Sequence, residues 1–392
     1  MKVALIIEQI EPWRGGAETS TLQFVAHLTR LGCQVSVITL SHAQSTPDME
    51  VVPIRVRTPF RSARTRKFVE RATEYARQRG FDIVHSITPC PEADVYQPRG
   101  GTVPEMLERN VALRNGPAAR TFKRLAQSVN RKYHVIADLE RELLTRPNPP
   151  ITIAISQYVA QQLKRHYGVD GGNVRCIFNG VDPDTVPLEQ RRVDRSTIRR
   201  QFDLADDDYL VLCIAHNFKL KGVARLVEAA AIHGATPQGA HSHFVVVGRD
   251  DPSPYIKLAS RLGVANRVMF AGPSKRIGAY FHAADCLAHP TYYDPCSRVV
   301  LEALAAGLPA ITTRYNGAGE KITDGQEGYV IDSPDDVEAL AERITRLSNA
   351  DHRRECAARA PACVRDATMA NHAQGVYDVY QELLQRSGVS LI

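Results

Sequence analysis

Long apolar runs are missing from this 392-residue sequence. No stretch of about 18 apolar residues occurs, so no part of it reads as a helix that crosses a bilayer. Aromatic residues are few, at 7% with a single Trp, and no nucleic-acid-binding module is recognisable, which argues against a nucleic-acid partner. The eight cysteines are scattered, with no C-x-x-C and no Cys/His grouping at zinc spacing. That pattern predicts free thiols, a reducing cytosolic compartment and no bound metal. The G-x-G-x-x-G fingerprint of dinucleotide sites is absent, which sets a nicotinamide-dependent oxidoreductase far back. The opening stretch, "MKVALIIEQIEPWRGGAE", is too short in its apolar part for a signal peptide and reads as a first strand.

What is present is an ordinary globular composition, 44% hydrophobic and 23% charged, long enough for two domains. The charge is uneven. Residues 1–180 carry 25 Lys and Arg against 16 Asp and Glu, so the remainder of this net +6 chain is acidic. Arg61, Arg64, Arg66, Lys67 and Arg71 belong to a run of nine basic residues between Arg55 and Arg79, set against Glu70 and Glu74, with a helix predicted over "KFVERATEYARQRG". Such a face implies an anionic partner, or else simply a solvated helix, and composition leaves both open.

Strand and helix patterns alternate throughout. "KVALIIE", "CQVSVITL", "DIVHSIT" and "ITIAIS" are short apolar runs of the kind buried in parallel sheets, and helical patterns separate them. Arg120 to Thr145 reads as one long basic helical stretch. A polar segment, Asp182 to Arg195, with Pro183 and Pro187, marks a boundary. The alternation then restarts with "YLVLCIA", "HFVVVG", "RVMFAG" and "CLAHP". The prediction is two doubly wound Rossmann-like α/β domains facing a cleft, over residues 1–182 and 183–368, with residues 369–392 crossing back onto the first.

The segment "YYDPCSRVVLEALAAGLPAITTRYNGAGE", Tyr292 to Glu320, has the clearest chemistry. Asp294 fits a helix N-cap and Pro295 the first helical position, with the helix running to about Ala306. Its first turn, Pro295 followed by the amides of Cys296, Ser297 and Arg298, then faces the strand end and suits a diphosphate. Glu302 lies eight residues on, about 12 Å along such a helix, roughly the reach from a hexose to a ribose. An Asp-Pro cap is often no more than a cap, but a glutamate on an apolar helix is costly to bury unpaired. Gly15 and Gly16 open the loop before the first helix, where bare backbone can approach a phosphate or an acceptor, or simply turn. The acidic pairs at Asp206–Asp208 and Asp250–Asp251 read as turns rather than metal ligands.

"DPCSRVVLEALAAGLPAITT" resembles the donor-site signature of the retaining GT-B glycosyltransferases of family four. "NGAGEKITDGQEGYVI", "CIFNGVD", "GGAE" and "ISQYVAQQL" are similar to other stretches of that family, so the likeness spans nearly the whole chain. "ADVYQPRGG", "RKYHVIADLERELL" and "KRHYG" resemble the lipopolysaccharide-core glucosyltransferases within it. The resemblance implies a nucleotide-sugar co-substrate, UDP-linked in preference, with no obligatory cofactor. It implies that Asp294 meets the donor sugar, where the family usually has Glu, and that Glu302 meets the ribose. Lys221 would neutralise the leaving diphosphate, and Lys219 would stand in part for an arginine the family carries nearby. The donor site would therefore comprise Gly15, Gly16, Lys219, Lys221, Asp294, Pro295, Cys296, Ser297, Arg298 and Glu302. On the acceptor side the family often has a histidine before glycine, and this chain has Arg99 before Gly100. Arg99 contacts phosphate or hydroxyls in this reading but is no base at neutral pH. His85, at a strand end, is a second acceptor-side candidate, and catalysis is assigned to Lys221, Asp294 and Arg99.

The implied activity is retaining transfer of a sugar to a glycolipid or saccharide, in the cytoplasm and peripherally at the inner face of an anionic membrane. Two other readings stay open: a sugar-nucleotide epimerase or hydrolase on the same fold, and a nucleotide-sugar-binding protein without turnover.

Overall fold

The computed structural model describes residues 1–10, 16–41, 45–46, 49–58, 61–114 and 116–386. The chain divides into two compact units, one made of Met1–Gly180 with Met369–Ile392 and the other of Val181–Thr368.

The first unit is built on seven parallel strands: β1 (Lys2–Ile6), β2 (Gln34–Thr39), β3 (Glu50–Pro53), β4 (Ile83–Ser86), β5 (Val95–Tyr96), β6 (Ile151–Ala154) and β7 (Val174–Cys176). Their order is β3-β2-β1-β4-β5-β6-β7. The second unit has six: β8 (Tyr209–Ile214), β9 (Ser242–Val247), β10 (Val268–Gly272), β11 (Cys286–His289), β12 (Ala310–Thr313) and β13 (Gly328–Ile331). Their order is β10-β9-β8-β11-β12-β13, again all parallel. Each sheet therefore reverses its winding once, between β1 and β4 and between β8 and β11. Helices leave opposite faces there, and the strand ends stay open to a ligand.

The strands read as unbroken apolar runs because both faces are covered. All six residues of β8 are buried, as are all four of β11. The first unit's core draws Phe24 and Leu28 from the Gly16–Arg30 helix onto Val3, Leu5 and Val37. Val376, Val379, Tyr380 and Leu384 of the Met369–Arg386 helix join the same core.

Three local expectations are corrected. The basic stretch Arg120 to Thr145 is two helices, Pro117–Ser128 and Arg131–Leu144. Asn130 separates them by accepting a bond from the Lys132 amide at 3.1 Å, so a side chain caps a new helix. The polar boundary is largely a helix, Leu188–Gln201, whose buried residues are Asp194, Ile198 and Arg199. Arg199 is 1% exposed and is satisfied by Asp285 and by the carbonyls of Ala205 and Ala283, so its inner face carries charge that apolar periodicity does not reveal. The helix expected from Pro295 begins instead at Arg298, with Ser297 at its N-cap position.

Candidate functional site

In the second unit the winding reverses between β8 and β11, and the loops leaving these two strands are tied to each other. The Leu220 carbonyl accepts from the Tyr292 amide at 2.9 Å and from Thr291 Oγ1 at 3.2 Å. Gly222 follows in the left-handed region at φ +70°, and a Cβ there would lie 2.1 Å from the Pro290 carbonyl oxygen. Only glycine allows this approach. It brings Lys221 Nζ to 2.5 Å from Asp294 Oδ2, with the two side chains 16% and 17% exposed.

Asp294 is not a helix cap. Its amide donates to the Tyr315 carbonyl at 2.8 Å, and its carbonyl accepts from Gly317 at 3.0 Å, forming a parallel bridge with Asn316. Buried Asn316 then accepts from the Ser297 amide at 3.0 Å and from Ala318 at 3.1 Å, while donating to Thr312 Oγ1. The Ser297 amide, assigned from sequence to a phosphate, is therefore taken up by Asn316. Cys296 and Ser297 are each 4% exposed, while Pro295 and Arg298 are half-buried.

Burial works against the charged form of Asp294. The Lys221 ammonium, followed by His289, more than offsets it and holds the carboxyl well below the usual carboxylate range. Glu302 behaves oppositely. Burial raises its pKa, and the Arg298 guanidinium, one helical turn away at 3.2 Å, only partly compensates.

Further positive charge gathers at the ends of β8 and β9. Gly248 lies against the Ala215 carbonyl, where a Cβ would be 1.8 Å from its oxygen, and the Asp250 carboxylate accepts from the Phe218 amide at 2.8 Å. Arg249 and His216 belong to these joined loops. The His216 ring, exposed at its surface side, is held below its usual range by partial desolvation, then by the charges of Arg249 and Lys221. Lys219 is exposed in the same loop. The site thus offers a cationic pole and a carboxylate pole, matched to a polyhydroxylated anion.

In the first unit Arg99 is firmly held. Its Nη1 donates to Ser20 Oγ at 3.1 Å and Thr21 Oγ1 at 2.8 Å, and its Nε to Gln97 Oε1 at 3.0 Å. The guanidinium lies 4.9 Å from the Phe24 ring centre. Gln97 Nε2 continues to His372 Nε2 at 3.0 Å, and His372 Nδ1 to the Phe178 carbonyl at 2.8 Å. Because a carbonyl only accepts, His372 carries its proton on Nδ1 and accepts from Gln97. Arg99 therefore ties the start of the Gly16–Arg30 helix to the Met369–Arg386 helix.

The acceptor-side expectation for His85 is corrected. It is 0% exposed, 2.6 Å from the Tyr380 hydroxyl through Nδ1, and packed edge-on against Phe24. Burial holds it well below its usual range, so it is a neutral core residue. Gly15 lies outside the described residues, and Gly16 is the first residue of its helix.

The acidic pairs are occupied locally. Asp208 Oδ2 accepts from the Ala205 amide at 2.7 Å and Asp251 Oδ1 from Ser253 at 3.0 Å. Among the described residues, Glu105, Glu108 and His166 converge at metal-binding distances. Their carboxylates already meet Arg109 at 3.2 Å and Arg165 at 2.8–3.3 Å. Three residues of the second-unit site escaped the sequence reading: His289, His216 and Arg249. His289 looks like the end of a buried strand, and only its proximity to Asp294, 3.9 Å from Nε2 to Oδ2, singles it out.

Comparison with known proteins gives consistent matches. Residues 14–185 match the glycosyltransferase family 4 domain, and residues 194–362 match the glycosyl transferases group 1 domain. The chain is 25% identical over 383 residues to the lipopolysaccharide glucosyltransferase WaaG of Escherichia coli, covering 97% of this chain and 96% of that one. Its fold is similar to the crystal structure of WaaG, with a TM-score of 0.78 at 24% identity, covering 96% and 99% of the two chains. It also resembles Anabaena HepE in complex with UDP-glucose, with a TM-score of 0.69 at 20% identity over 97% and 100%.

Proposed function

Because this chain belongs to the glycosyltransferases of GT-B type, we propose that it transfers a sugar, with retention of configuration, from a UDP-sugar to a glycolipid or saccharide of the lipopolysaccharide-core class. The observation that carries the reading is the Lys221–Asp294 pair at the winding reversal of the second sheet. In this reading Lys221, with Lys219 and Arg249, meets the diphosphate, and Asp294 accepts hydrogen bonds from the sugar hydroxyls. Glu302 accepts from the ribose. As the bond from the anomeric carbon to the diphosphate breaks, the negative charge on the leaving group grows beside Lys221, which stabilises it. The acceptor oxygen bonds to the same face of that carbon, and its proton passes to the departing phosphate oxygen. That route needs no protein base, which fits an arginine at position 99. Arg99 acts on the acceptor side by fixing the start of the Gly16–Arg30 helix.

No helix among the described residues is long and apolar enough to cross a membrane. Peripheral contact with the inner face of an anionic membrane instead draws on two helices of the first unit. Arg64, Lys67 and Arg71 are exposed at helical spacing on Arg61–Arg79. Better suited is Pro117–Ser128, where Phe122 is 75% and Leu125 62% exposed beside Arg120 and Arg124. Apolar and basic residues together match a headgroup boundary, which a merely solvated face does not require. Sedimentation with acidic-lipid vesicles should be lost in Phe122→Ser/Leu125→Ser and at high salt; salt-insensitive or absent binding by the wild type refutes the contact.

Donor choice is tested by thermal stabilisation with UDP-, GDP- and ADP-sugars, followed by the anomeric configuration of the product. A ligand at 100 times its Kd stabilises the protein by about 2.7 kcal/mol. Stabilisation by none of them overturns the reading. Binding with hydrolysis or epimerisation only, or with no turnover across an acceptor panel, replaces it with the corresponding alternative.

A further inference from the structure

His289 is the last residue of β11, 1% exposed, and among the described residues neither of its ring nitrogens has a partner within hydrogen-bonding distance. A buried polar group left in this state costs about 1–3 kcal/mol, so an orphaned imidazole beside a site calls for a reason. Its Nε2 lies 3.9 Å from Asp294 Oδ2, just beyond bonding distance. That same oxygen is engaged by Lys221 Nζ at 2.5 Å. The cation of this site is thus neutralised by its own carboxylate.

A diphosphate that draws Lys221 off this pair leaves Asp294 as a largely buried carboxylate without its cation. We propose that His289 is a positioning residue for the donor site, taking over from Lys221 as the hydrogen-bond donor to Asp294 once a diphosphate draws the ammonium away. The inference rests on the donor reading above. The backbone on both sides supports the exchange. Asp294 is anchored at its amide and carbonyl by Tyr315 and Gly317, and the His289 carbonyl by Thr312 Oγ1 at 3.0 Å. A side-chain rotation of about an ångström therefore closes the gap without moving either strand end. Electrostatics act in the same direction. Burial, with Lys221 adding to it, holds the His289 ring below its usual range while Asp294 pulls upward, so removing the ammonium leaves the carboxylate's pull unopposed by that charge. The exchange keeps Asp294 ionised and oriented toward the sugar.

The test compares His289→Leu, His289→Gln and Lys221→Ala with wild type, using calorimetry with UDP and with uridine. His289→Leu should melt close to wild type, since it removes an imidazole with no partner within hydrogen-bonding distance while Lys221 still holds Asp294. Its UDP affinity should fall about tenfold while uridine affinity is unchanged, because only the diphosphate separates Lys221 from Asp294. His289→Gln, which presents an amide donor in place of Nε2, should recover part of the loss. UDP affinity within twofold of wild type in His289→Leu, or equal losses for UDP and uridine, overturns the exchange while leaving the donor reading intact if Lys221→Ala still weakens UDP. No UDP binding by the wild type, or none of its affinity lost in Lys221→Ala, overturns both.

Discussion

Replacing Lys221 with Met removes the cation from a carboxylate that is mostly out of water. Breaking a fully buried ion pair from one side costs about 3–5 kcal/mol, since the remaining charge keeps its desolvation penalty and loses its partner. Both side chains retain some solvent contact, at 16% and 17% exposure. The expected loss therefore lies near the lower end, about 3 kcal/mol. The opposite change, Asp294→Asn, should cost about 1 kcal/mol, because the Lys221 head can swing to water on its flexible stem. The double variant has no stranded charge and should resemble Asp294→Asn alone, giving a coupling of about 2–3 kcal/mol. The pH dependence gives an independent check. In the wild type the folded-state pKa of Asp294 is depressed, so its stabilisation is present above the unfolded value of about 3.9 and lost as pH falls through the lower folded value. In Lys221→Met, Asp294 keeps its burial penalty with His289 as the remaining offset, so its pKa rises from the depressed wild-type value. The wild-type advantage is then full above about 3.9 and shrinks as pH falls toward the lower folded value, so the deficit should be larger at about pH 6 than at about pH 3. Urea midpoints at the two pH values, with the slope checked for constancy, measure both quantities. A coupling below about 0.5 kcal/mol, or an equal deficit at both pH values, refutes the assignment of a strongly coupled buried pair.

Gly222→Ala should destabilise by about 2–4 kcal/mol and weaken UDP binding through displacement of Lys221; an unchanged melting temperature refutes the close approach to Pro290. Glu302→Gln should weaken UDP-sugar binding by about 1.5–3 kcal/mol with little effect on folding, and unaltered affinity in calorimetry removes Glu302 from the ribose. Arg99→Lys keeps the charge but not the planar fork that spans Gln97, Ser20 and Thr21, so acceptor KM should rise while UDP-sugar affinity holds. Equal loss of donor affinity refutes the acceptor-side placement.

The parallel architecture was legible because strands covered on both faces leave unbroken apolar runs such as "YLVLCI" and "CLAH". Lys221 and Asp294 could be singled out from sequence, but their contact could not. It depends on Leu220, Thr291 and the Pro290 carbonyl meeting across two loops about 70 residues apart in sequence. The helix start after Asp294 was misread for a similar reason. Local preference favours Asp-Pro as a cap, but Asn316, from beyond the next strand, takes the Ser297 amide and sets the boundary. His85 looked available at a strand end. It is covered by Tyr380, 295 residues later, and no local pattern carries that information. The Leu188–Gln201 helix escaped because its inward face is built from Asp194 and Arg199, whose charges are met by distant partners such as His282 and Asp285.

The Met369–Arg386 helix, whose Val376, Val379, Tyr380 and Leu384 complete the first unit's core, has a consequence for synthesis on the ribosome. Domains usually fold in the order they emerge, amino-terminal first. Here the sheet of the first unit is made early but lacks one side of its core until the whole second unit has been translated. At roughly 5–20 residues per second, the wait is on the order of ten to forty seconds. During that interval the apolar side later covered by Tyr380 is open to chaperones. The second unit, contiguous in sequence, has no such wait and can finish folding first. A nascent chain stalled just before Met369 should therefore show a protease-resistant second unit attached to a protease-sensitive first one, the reverse of the usual order.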